Sequence, residues 1–173
     1  MLKLKITDSD VIGGDTLPVY MDTVSRYAAR GVLINNDNQV AMMYMASEGM
    51  YKLPGGGIDE GELAEAAFVR EILEETGYEA EVTGTLGFVE EHKHRNRFFQ
   101  YSHCYLAQAG INTNSITLTA SEQELGMAVQ WMNIGQAVSI MDRSLDNVDV
   151  EYSDRFMLLR DYAILKEAVK RLT

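Results

Sequence analysis

The chain has 173 residues, which is enough for one domain with a substantial buried core. Its hydrophobic fraction of 46% and its two prolines argue against an intrinsically disordered protein. The formal net charge is −11, which would repel a nucleic-acid polymer or an acidic membrane surface. We therefore expect a small-molecule partner, with no nucleic-acid polymer and no membrane, and local positive charge would have to attract any anionic ligand.

Cysteine usage and the absence of apolar runs bear on the cellular compartment. The single cysteine, Cys104, excludes an intramolecular disulfide. The sequence shows neither a signal peptide nor a run of 18 apolar residues. These features predict a cytoplasmic protein, and residues 1–173 are expected to form a single domain.

The first quarter of the chain predicts strands separated by turns. Residues 1–8 favour a short strand, and the glycines and proline of residues 13–18 mark a loop. Residues 26–35 and 39–45 are typical of two strands joined by a turn. Arg30, on the first of these strands, could reach a substrate phosphate, or it could be an exposed or salt-bridged arginine. A third, short strand is predicted at residues 51–53.

Residues 55–78 combine a glycine-rich loop with an acidic helix and are the most informative stretch. The helical pattern ends at Gly77, and glycine is typical of the position just after a helix. Apolar side chains would cover most of the helix surface, which predicts packing on nearly every side. Glu71, Glu74 and Glu75 share the remaining face, because helical spacings of three and four bring side chains together.

Glutamates crowded on one stripe repel one another unless a positive charge lies among them. A hard divalent cation would meet this need, since Mg²⁺ or Mn²⁺ prefers oxygen ligands and also accepts substrate phosphate oxygens. The preceding glycines allow a close approach of the backbone, so that a carbonyl there could supply a neutral ligand. The alternative interpretation is a solvated acidic helix face, which is the usual meaning of a glutamate cluster.

The whole stretch resembles the Nudix box, the signature of hydrolases that cleave a nucleoside diphosphate linked to another group. Seven of its residue types, each at about 7% usage, would coincide by chance on the order of once in 10⁸ start positions. Tyr78 departs from the pattern, because an aliphatic residue is usual there. The matching positions are Gly56, Glu62, Arg70, Glu71, Ile72, Glu74, Glu75, Gly77 and Tyr78.

The resemblance implies a set of metal ligands. Glu75, the second member of the Glu-Glu pair, is expected to bind the metal, with Glu74 and Glu71 beside it. Gly55, the residue before the first box glycine, is expected to lend its carbonyl oxygen. The implied cofactor is Mg²⁺ or Mn²⁺.

The resemblance also implies roles in catalysis. Arg70 and Glu62 are expected to form an ion pair that holds the loop against the helix. Glu71 is expected to act as the general base, unless a glutamate on a later loop does so. The implied reaction is attack of water on a phosphoric anhydride, in which positioning and charge neutralisation lower the barrier and a carboxylate takes the proton.

Two extended runs after the box, residues 79–91 and 97–109, predict a β-hairpin with a basic tip at residues 92–96. Arg97 and Phe99 are candidate substrate-binding residues, Arg97 through phosphate and Phe99 through stacking on a base. Alternatively, the tip is a solvated turn and the aromatic residues contribute to the core and to a dimer surface. The second interpretation allows a homodimer.

The C-terminal third contains a further pair of candidate acids. In the resembled family, a loop in the neighbourhood of residues 121–124 can supply a metal-binding or proton-accepting glutamate. Glu122 and Glu124 are therefore candidates, with ordinary loop carboxylates as the alternative. The other elements predicted here are strands at 115–118 and 127–132 and helices at 134–141 and 153–172.

This order of elements predicts an α/β protein, a Nudix-like α/β/α sandwich in which helices cover both faces of a mixed β-sheet. The favoured function is Mg²⁺-dependent hydrolysis of a nucleoside triphosphate or a related nucleotide. A hydrolase of ADP-ribose or a nucleotide sugar is the second hypothesis. Members of that subgroup often carry a proline about 15 residues beyond the box, where this chain has His-Lys-His at residues 92–94. A non-catalytic nucleotide-binding module is the third, although such a module would be expected to have lost the box glutamates.

Overall fold

The computed structural model describes residues 1–172 and contains a mixed sheet with helices on both faces. The strands are β1 (Leu2–Thr7), β2 (Arg26–Ile34), β3 (Gln39–Met45), β4 (Met50–Lys52), β5 (Gly55–Gly57), β6 (Tyr78–Lys93), β7 (Phe98–Asn112) and β8 (Met127–Asn133). The helices are α1 (Asp8–Ile12), α2 (Ala64–Thr76), α3 (Ala120–Glu124), α4 (Ile134–Leu145) and α5 (Tyr152–Leu172).

The eight strands form one sheet in the order β1-β6-β7-β2-β3-β4, with β5 paired to β2 and β8 paired to β3. The β1–β6 and β2–β7 pairs are parallel, whereas β6–β7 and β3–β8 are antiparallel. The predicted mixed sheet and α/β/α sandwich are therefore confirmed.

Side chains of β2 alternate between the two faces of the sheet, because successive residues of a strand point to opposite sides. Val32 and Ile34 lie in the larger core cluster, together with residues of α4 and α5. Ala29 and Leu33 lie in a second cluster with Phe68 of α2. Strand β2 is therefore buried on both faces, with one core cluster packed on each.

Helix α2 packs on the sheet through one side only. Phe68 and Ile72 are fully buried, whereas Leu63 is 77% exposed and Leu73 is 37% exposed. The prediction that this helix is covered on nearly every side is therefore wrong. The reason is that α2 forms an outer layer, so that apolar residues on its far side have no described element above them.

The predicted strand at 115–118 is absent, and residues 113–119 form a loop instead. The backbone N–H groups of Thr113 and Thr117 donate to the carbonyls of Gly77 and Glu74 at the end of α2. These donors satisfy carbonyls that a helix end leaves without partners, which a pairing strand could not do at the same time. The predicted acidic loop at 121–124 is instead part of the short helix α3, which contains all four residues.

Helix boundaries also differ at the C-terminal end of the chain. Helix α4 extends to Leu145, beyond the predicted end at residue 141, whereas α5 begins within one residue of its predicted start. None of the helices in residues 1–172 is both long enough and apolar enough to cross a membrane.

Candidate active site

Three carboxylates from two helices converge at one end of the sheet. Glu71 and Glu75 come from α2 and Glu122 comes from α3, and one oxygen of each lies within 4.8 Å of the others. Glu74 is outside this group; its side chain is 39% exposed and accepts a hydrogen bond from Arg70 Nη1 at 3.2 Å. Glu124 is exposed and also lies outside the group.

Glu75 is buried and held by two donors. The backbone N–H of Gly55 donates to its Oε2 at 2.9 Å, and Lys52 Nζ donates to its Oε1 at 3.1 Å. Burial raises the pKa of Glu75 to about 7, although Lys52 and the Gly55 N–H act in the opposite direction. The structure thus shows an N–H contact from Gly55, and the metal-binding role of its carbonyl stays a prediction.

Glycine is required at position 55 for steric reasons. Gly55 has a φ of +134°, and a Cβ there would lie 2.4 Å from the carbonyl oxygen of Ala29. This close approach of β5 to β2 places the Gly55 N–H against Glu75. The glycine-rich start of the motif therefore fixes the position of a candidate metal ligand.

Arg70 links the loop to the helix. Its Nε and Nη2 donate to the two carboxylate oxygens of Glu62, each at 2.9 Å, and Nη2 also donates to the carbonyl of Gly57 at 3.0 Å. Hydrogen bonding from Arg70 lowers the pKa of Glu62 to about 2. This is the ion pair that the resemblance implies, and its bidentate geometry fixes the loop against α2.

Glu71 and Glu122 are each oriented by a hydrogen bond to one carboxylate oxygen. Arg70 Nη1 donates to Oε1 of Glu71 at 2.9 Å, and burial raises the pKa of the Glu71 carboxyl. Oε2 of Glu122 accepts from the backbone N–H of Thr119 in a capping box at the start of α3. A short capped helix therefore brings a residue from far along the chain next to the box glutamates.

This donor set fits a hard divalent cation. Three carboxylates within 4.8 Å of one another supply the oxygen ligands that Mg²⁺ and Mn²⁺ prefer. A Cβ at Gly56 would lie 2.5 Å from the Glu71 carboxylate. The carboxylate therefore packs directly against the backbone of Gly56. Glu71, Glu75 and Glu122 are the residues that would hold the ion.

A cavity of about 340 Å³ includes Glu122 in its wall, together with Gly55 and Gly56, which contact Glu75 and Glu71. Five of its lining side chains are positively charged and two are carboxylates, in a chain whose net charge is −11. Such a cavity attracts anions despite the overall charge. The lining residues are Arg26, Arg30, Lys52, Gly55, Gly56, Lys93, Gln100, Glu122, Ser153, Asp154, Met157 and Arg160.

Of the three predicted substrate-binding residues on the strands and hairpin, one lines this cavity. Arg30 is 4% exposed and contributes to its wall. Arg97 is exposed at the end of the 3₁₀ turn that joins β6 to β7 and is not among the lining residues. Phe99 is 6% exposed and stacks on His92 at 4.2 Å, so the predicted stacking of its ring on a base does not fit. His92 is itself buried, which places the basic tip at residues 93–97.

Sequence reasoning missed three cations of the site. Lys52 precedes the glycine loop, Lys93 ends β6, and Arg160 occupies a position in α5 that the helical pattern marks only as polar. The basic run near residue 93 gave a weak signal for Lys93. Arg160 gave none, because its place in the cavity depends on how α5 packs across the sheet.

A family model described as the NUDIX domain matches residues 24–156. The chain is 38% identical over 105 residues to a Bacillus subtilis (strain 168) protein named "Putative 8-oxo-dGTP diphosphatase", covering 61% of this chain and 64% of that one. It is 28% identical over 124 residues to Nudix hydrolase 10 of Arabidopsis thaliana, covering 72% of this chain and 42% of that one. The chain thus spans less than two thirds of the length of these relatives.

Solved structures show the same fold. A NUDIX hydrolase from Nitrosomonas europaea matches with a TM-score of 0.55 at 18% identity, covering 79% of this chain and 87% of that one. A structure titled UDP-X diphosphatase matches with a TM-score of 0.56 at 16% identity, covering 90% and 67%. With the family model matching well over half of its residues, the chain belongs to the Nudix hydrolase family.

Proposed function

We propose that this protein is a divalent-metal-dependent hydrolase of a phosphoric anhydride bond in a nucleoside diphosphate derivative, with a nucleoside triphosphate as the first candidate substrate. The observation that carries the proposal is the convergence of Glu71, Glu75 and Glu122 beside a cavity lined by cations. The carboxylates suit a hard cation, and the cavity suits the phosphates that such an ion would share.

The side chains have separable roles in this reaction. A bound Mg²⁺ would neutralise charge on the phosphate oxygens and acidify a water molecule. Glu75 is fixed by the Gly55 N–H, and Arg70 fixes Glu71, so that both carboxylates are oriented before substrate arrives. We assign the general base to Glu71, because donors hold both carboxylate oxygens of Glu75, whereas Arg70 holds Oε1 of Glu71. Burial also raises the pKa of Glu71, which makes it a better proton acceptor. Glu122 is the alternative base, since only one of its oxygens is used by the capping box.

The names of two similar proteins bear on the choice of substrate. The Bacillus relative is named for 8-oxo-dGTP, which favours a nucleoside triphosphate. The structure titled UDP-X diphosphatase favours a nucleotide sugar, which keeps that class as the second candidate. The cytoplasmic location, the homodimer and the small-molecule nucleotide partner stay predictions.

A substrate panel tests the proposal. Purified protein with Mg²⁺ would be assayed for release of phosphate or pyrophosphate from nucleoside triphosphates, ADP-ribose, nucleotide sugars and dinucleoside polyphosphates. On the best substrate, Glu75→Gln should lower kcat by about two orders of magnitude or more while the thermal unfolding temperature is retained. Glu65→Gln is the matched control, because Glu65 lies on the same helix and is exposed.

Metal binding gives a readout that does not need turnover. Calorimetric titration with Mg²⁺ should show saturable binding for the wild type and for Glu65→Gln, and a large loss for Glu75→Gln. Wild-type turnover in Glu75→Gln would contradict the role assigned to that residue. The absence of hydrolysis across the whole panel would contradict the proposed function.

A further inference from the structure

Three adjacent strands place polar side chains on the sheet face that α5 covers. Because strand residues alternate between faces, the odd-numbered positions of β6 and the even-numbered positions of β2 and β7 share this face. Arg160 of α5 lies against them. The strand residues are Glu91 and Lys93 of β6, Gln100 and Ser102 of β7, and Arg26 and Arg30 of β2.

Most of the charge in this group is balanced internally. Arg160 donates through Nε to Asp161 at 2.7 Å and through Nη1 to Glu91 at 3.0 Å. Gln100 donates to the same oxygen of Glu91 at 2.7 Å. Lys93 Nζ lies 3.6 Å from the other oxygen of Glu91. Two cations thus face two buried carboxylates.

Of the two remaining cations, Arg26 is exposed, and Arg30 is the buried one that remains unbalanced. It is 4% exposed, its Nε donates to the neutral hydroxyl of Ser102 at 3.2 Å, and no carboxylate in residues 1–172 forms an ion pair with it. Burial and the nearby charge of Arg160 lower the pKa of Arg30 to about 10. Glu91 and Asp161 attract Arg30, but each forms its ion pair with Arg160. A buried charge without a direct ion pair is costly, and an anion in the cavity would reduce that cost.

The unbalanced cation lies next to the candidate metal ligands. Arg30 is paired with Gly55 in the β2–β5 ladder, and the N–H of Gly55 donates to Glu75. The next residue, Gly56, packs against the carboxylate of Glu71. The short strand β5 therefore lies between Arg30 and the glutamates of α2, and Glu122 itself lines the cavity, so one extended anion can contact both the acidic cluster and Arg30.

We propose that Arg30, Lys93 and Arg160 form a subsite for an anionic group that lies beyond the scissile anhydride, so that the preferred substrates carry a further phosphoryl group. This inference rests on the proposed function and selects nucleoside triphosphates from its candidates. ADP-ribose and nucleotide sugars have only the two phosphates of the scissile linkage, and they would leave this subsite unfilled. Arg160 lies outside the residues that the family model matches, so the subsite depends on α5.

The subsite can be tested without catalysis. Inorganic triphosphate would be titrated calorimetrically into the protein in EDTA, so that neither metal nor turnover contributes. We expect saturable binding to the wild type and a loss of affinity of about tenfold or more in both Lys93→Gln and Arg30→Gln, since each removes one charge-assisted contact. Lys5→Gln is the matched control, because Lys5 is 54% exposed and pairs with Glu90 outside the cavity.

Circular dichroism and thermal unfolding show whether each variant is folded. Should Arg30→Gln fail to fold, Lys93→Gln carries the test, because the Lys93 side chain is 14% exposed and its ion pair with Glu91 is 3.6 Å long. Unchanged triphosphate affinity in the folded variants would overturn the proposal, as would the absence of saturable binding to the wild type.

The two proposals fail in different ways. Triphosphate binding that depends on Lys93, in a protein that hydrolyses nothing in the panel, would refute the proposed function and support the subsite. Hydrolysis of GTP with an unchanged ratio of GTP to GDP turnover in Lys93→Gln would refute the subsite alone. A fall in that ratio would support both.

Discussion

Gly56→Ala should lower turnover while leaving the protein folded. A Cβ at position 56 would lie 2.5 Å from the carboxylate carbon of Glu71 and 2.5 and 2.6 Å from its two oxygens. Unstrained contacts between such atoms need about 3.5 Å or more, so the carboxylate has to move by roughly 1 Å. Gly56 does not have a positive φ, and its backbone can therefore accept an alanine.

The expected losses of stability and activity follow from the displacement of the Glu71 carboxylate. The atoms in conflict are at the end of a flexible side chain, so the stability cost is that of an altered rotamer, about 1 kcal/mol. A displacement of about 1 Å in a group that positions the reaction can lower the rate by roughly 10²-fold, which corresponds to about 2.7 kcal/mol in the barrier. Activity should therefore fall far more than stability.

The assay compares three alanine variants. Two quantities would be measured for each variant and for the wild type. They are kcat with Mg²⁺ on the best substrate of the panel, and the free energy of unfolding in urea. Gly84→Ala should change neither, because nothing lies within 4 Å of a Cβ at that position. Gly55→Ala should unfold the protein, because its Cβ meets the backbone of β2. Wild-type kcat in Gly56→Ala would refute the reasoning, and so would a loss of stability as large as that of Gly55→Ala.

Three further predictions concern the supports of the site. Arg160→Met should destabilise the protein by about 3–5 kcal/mol in urea unfolding, because it removes the arginine that pairs with the fully buried carboxylates of Glu91 and Asp161. Burial raises the pKa of Glu91, but the attraction of nearby cations outweighs it and lowers the pKa to about 2. Stability from this group is therefore present above about pH 4.5 and lost as the pH falls towards 2, so wild type should lose more stability than Glu91→Gln between pH 6 and pH 3. Phe68→Ala should lower the free energy of unfolding by about 3–5 kcal/mol, because it leaves a cavity in the core. The Phe68 ring is fully buried and stacks on the ring of Tyr105, with 5.7 Å between the ring centroids.

Arg160→Met has a matched control variant, and each of the three predictions has an outcome that would contradict it. Arg171→Met should change stability by less than about 1 kcal/mol, since its side chain is 45% exposed and its ion pair is 3.8 Å long. Equal losses in Arg160→Met and Arg171→Met would contradict the buried network. Parallel pH profiles for wild type and Glu91→Gln would contradict the lowered pKa, and a cost below about 1 kcal/mol for Phe68→Ala would contradict its place in the core.

The sequence predicted the parts of this protein that depend on short-range patterns. The hairpin of β6 and β7, the C-terminal end of α2 and the α/β class follow from periodicity and from glycine at the helix end, which act over a few residues. The pairing of Arg70 with Glu62 was also predicted, because both residues belong to one compact motif. The same local patterns failed for residues 115–118, where the backbone instead satisfies carbonyls at the end of α2.

By itself the sequence determined the family, the acidic helix and the glycine loop that precedes it, because all of these lie within one continuous motif. Only the tertiary structure decided which acids converge, since α3 brings Glu122 into the cluster, whereas Glu74 of α2 lies outside it. Only the packing of α5 across the sheet placed Arg160 beside Arg30. Contacts between residues more than a hundred positions apart depend on how whole elements pack, and no local pattern in the chain encodes that.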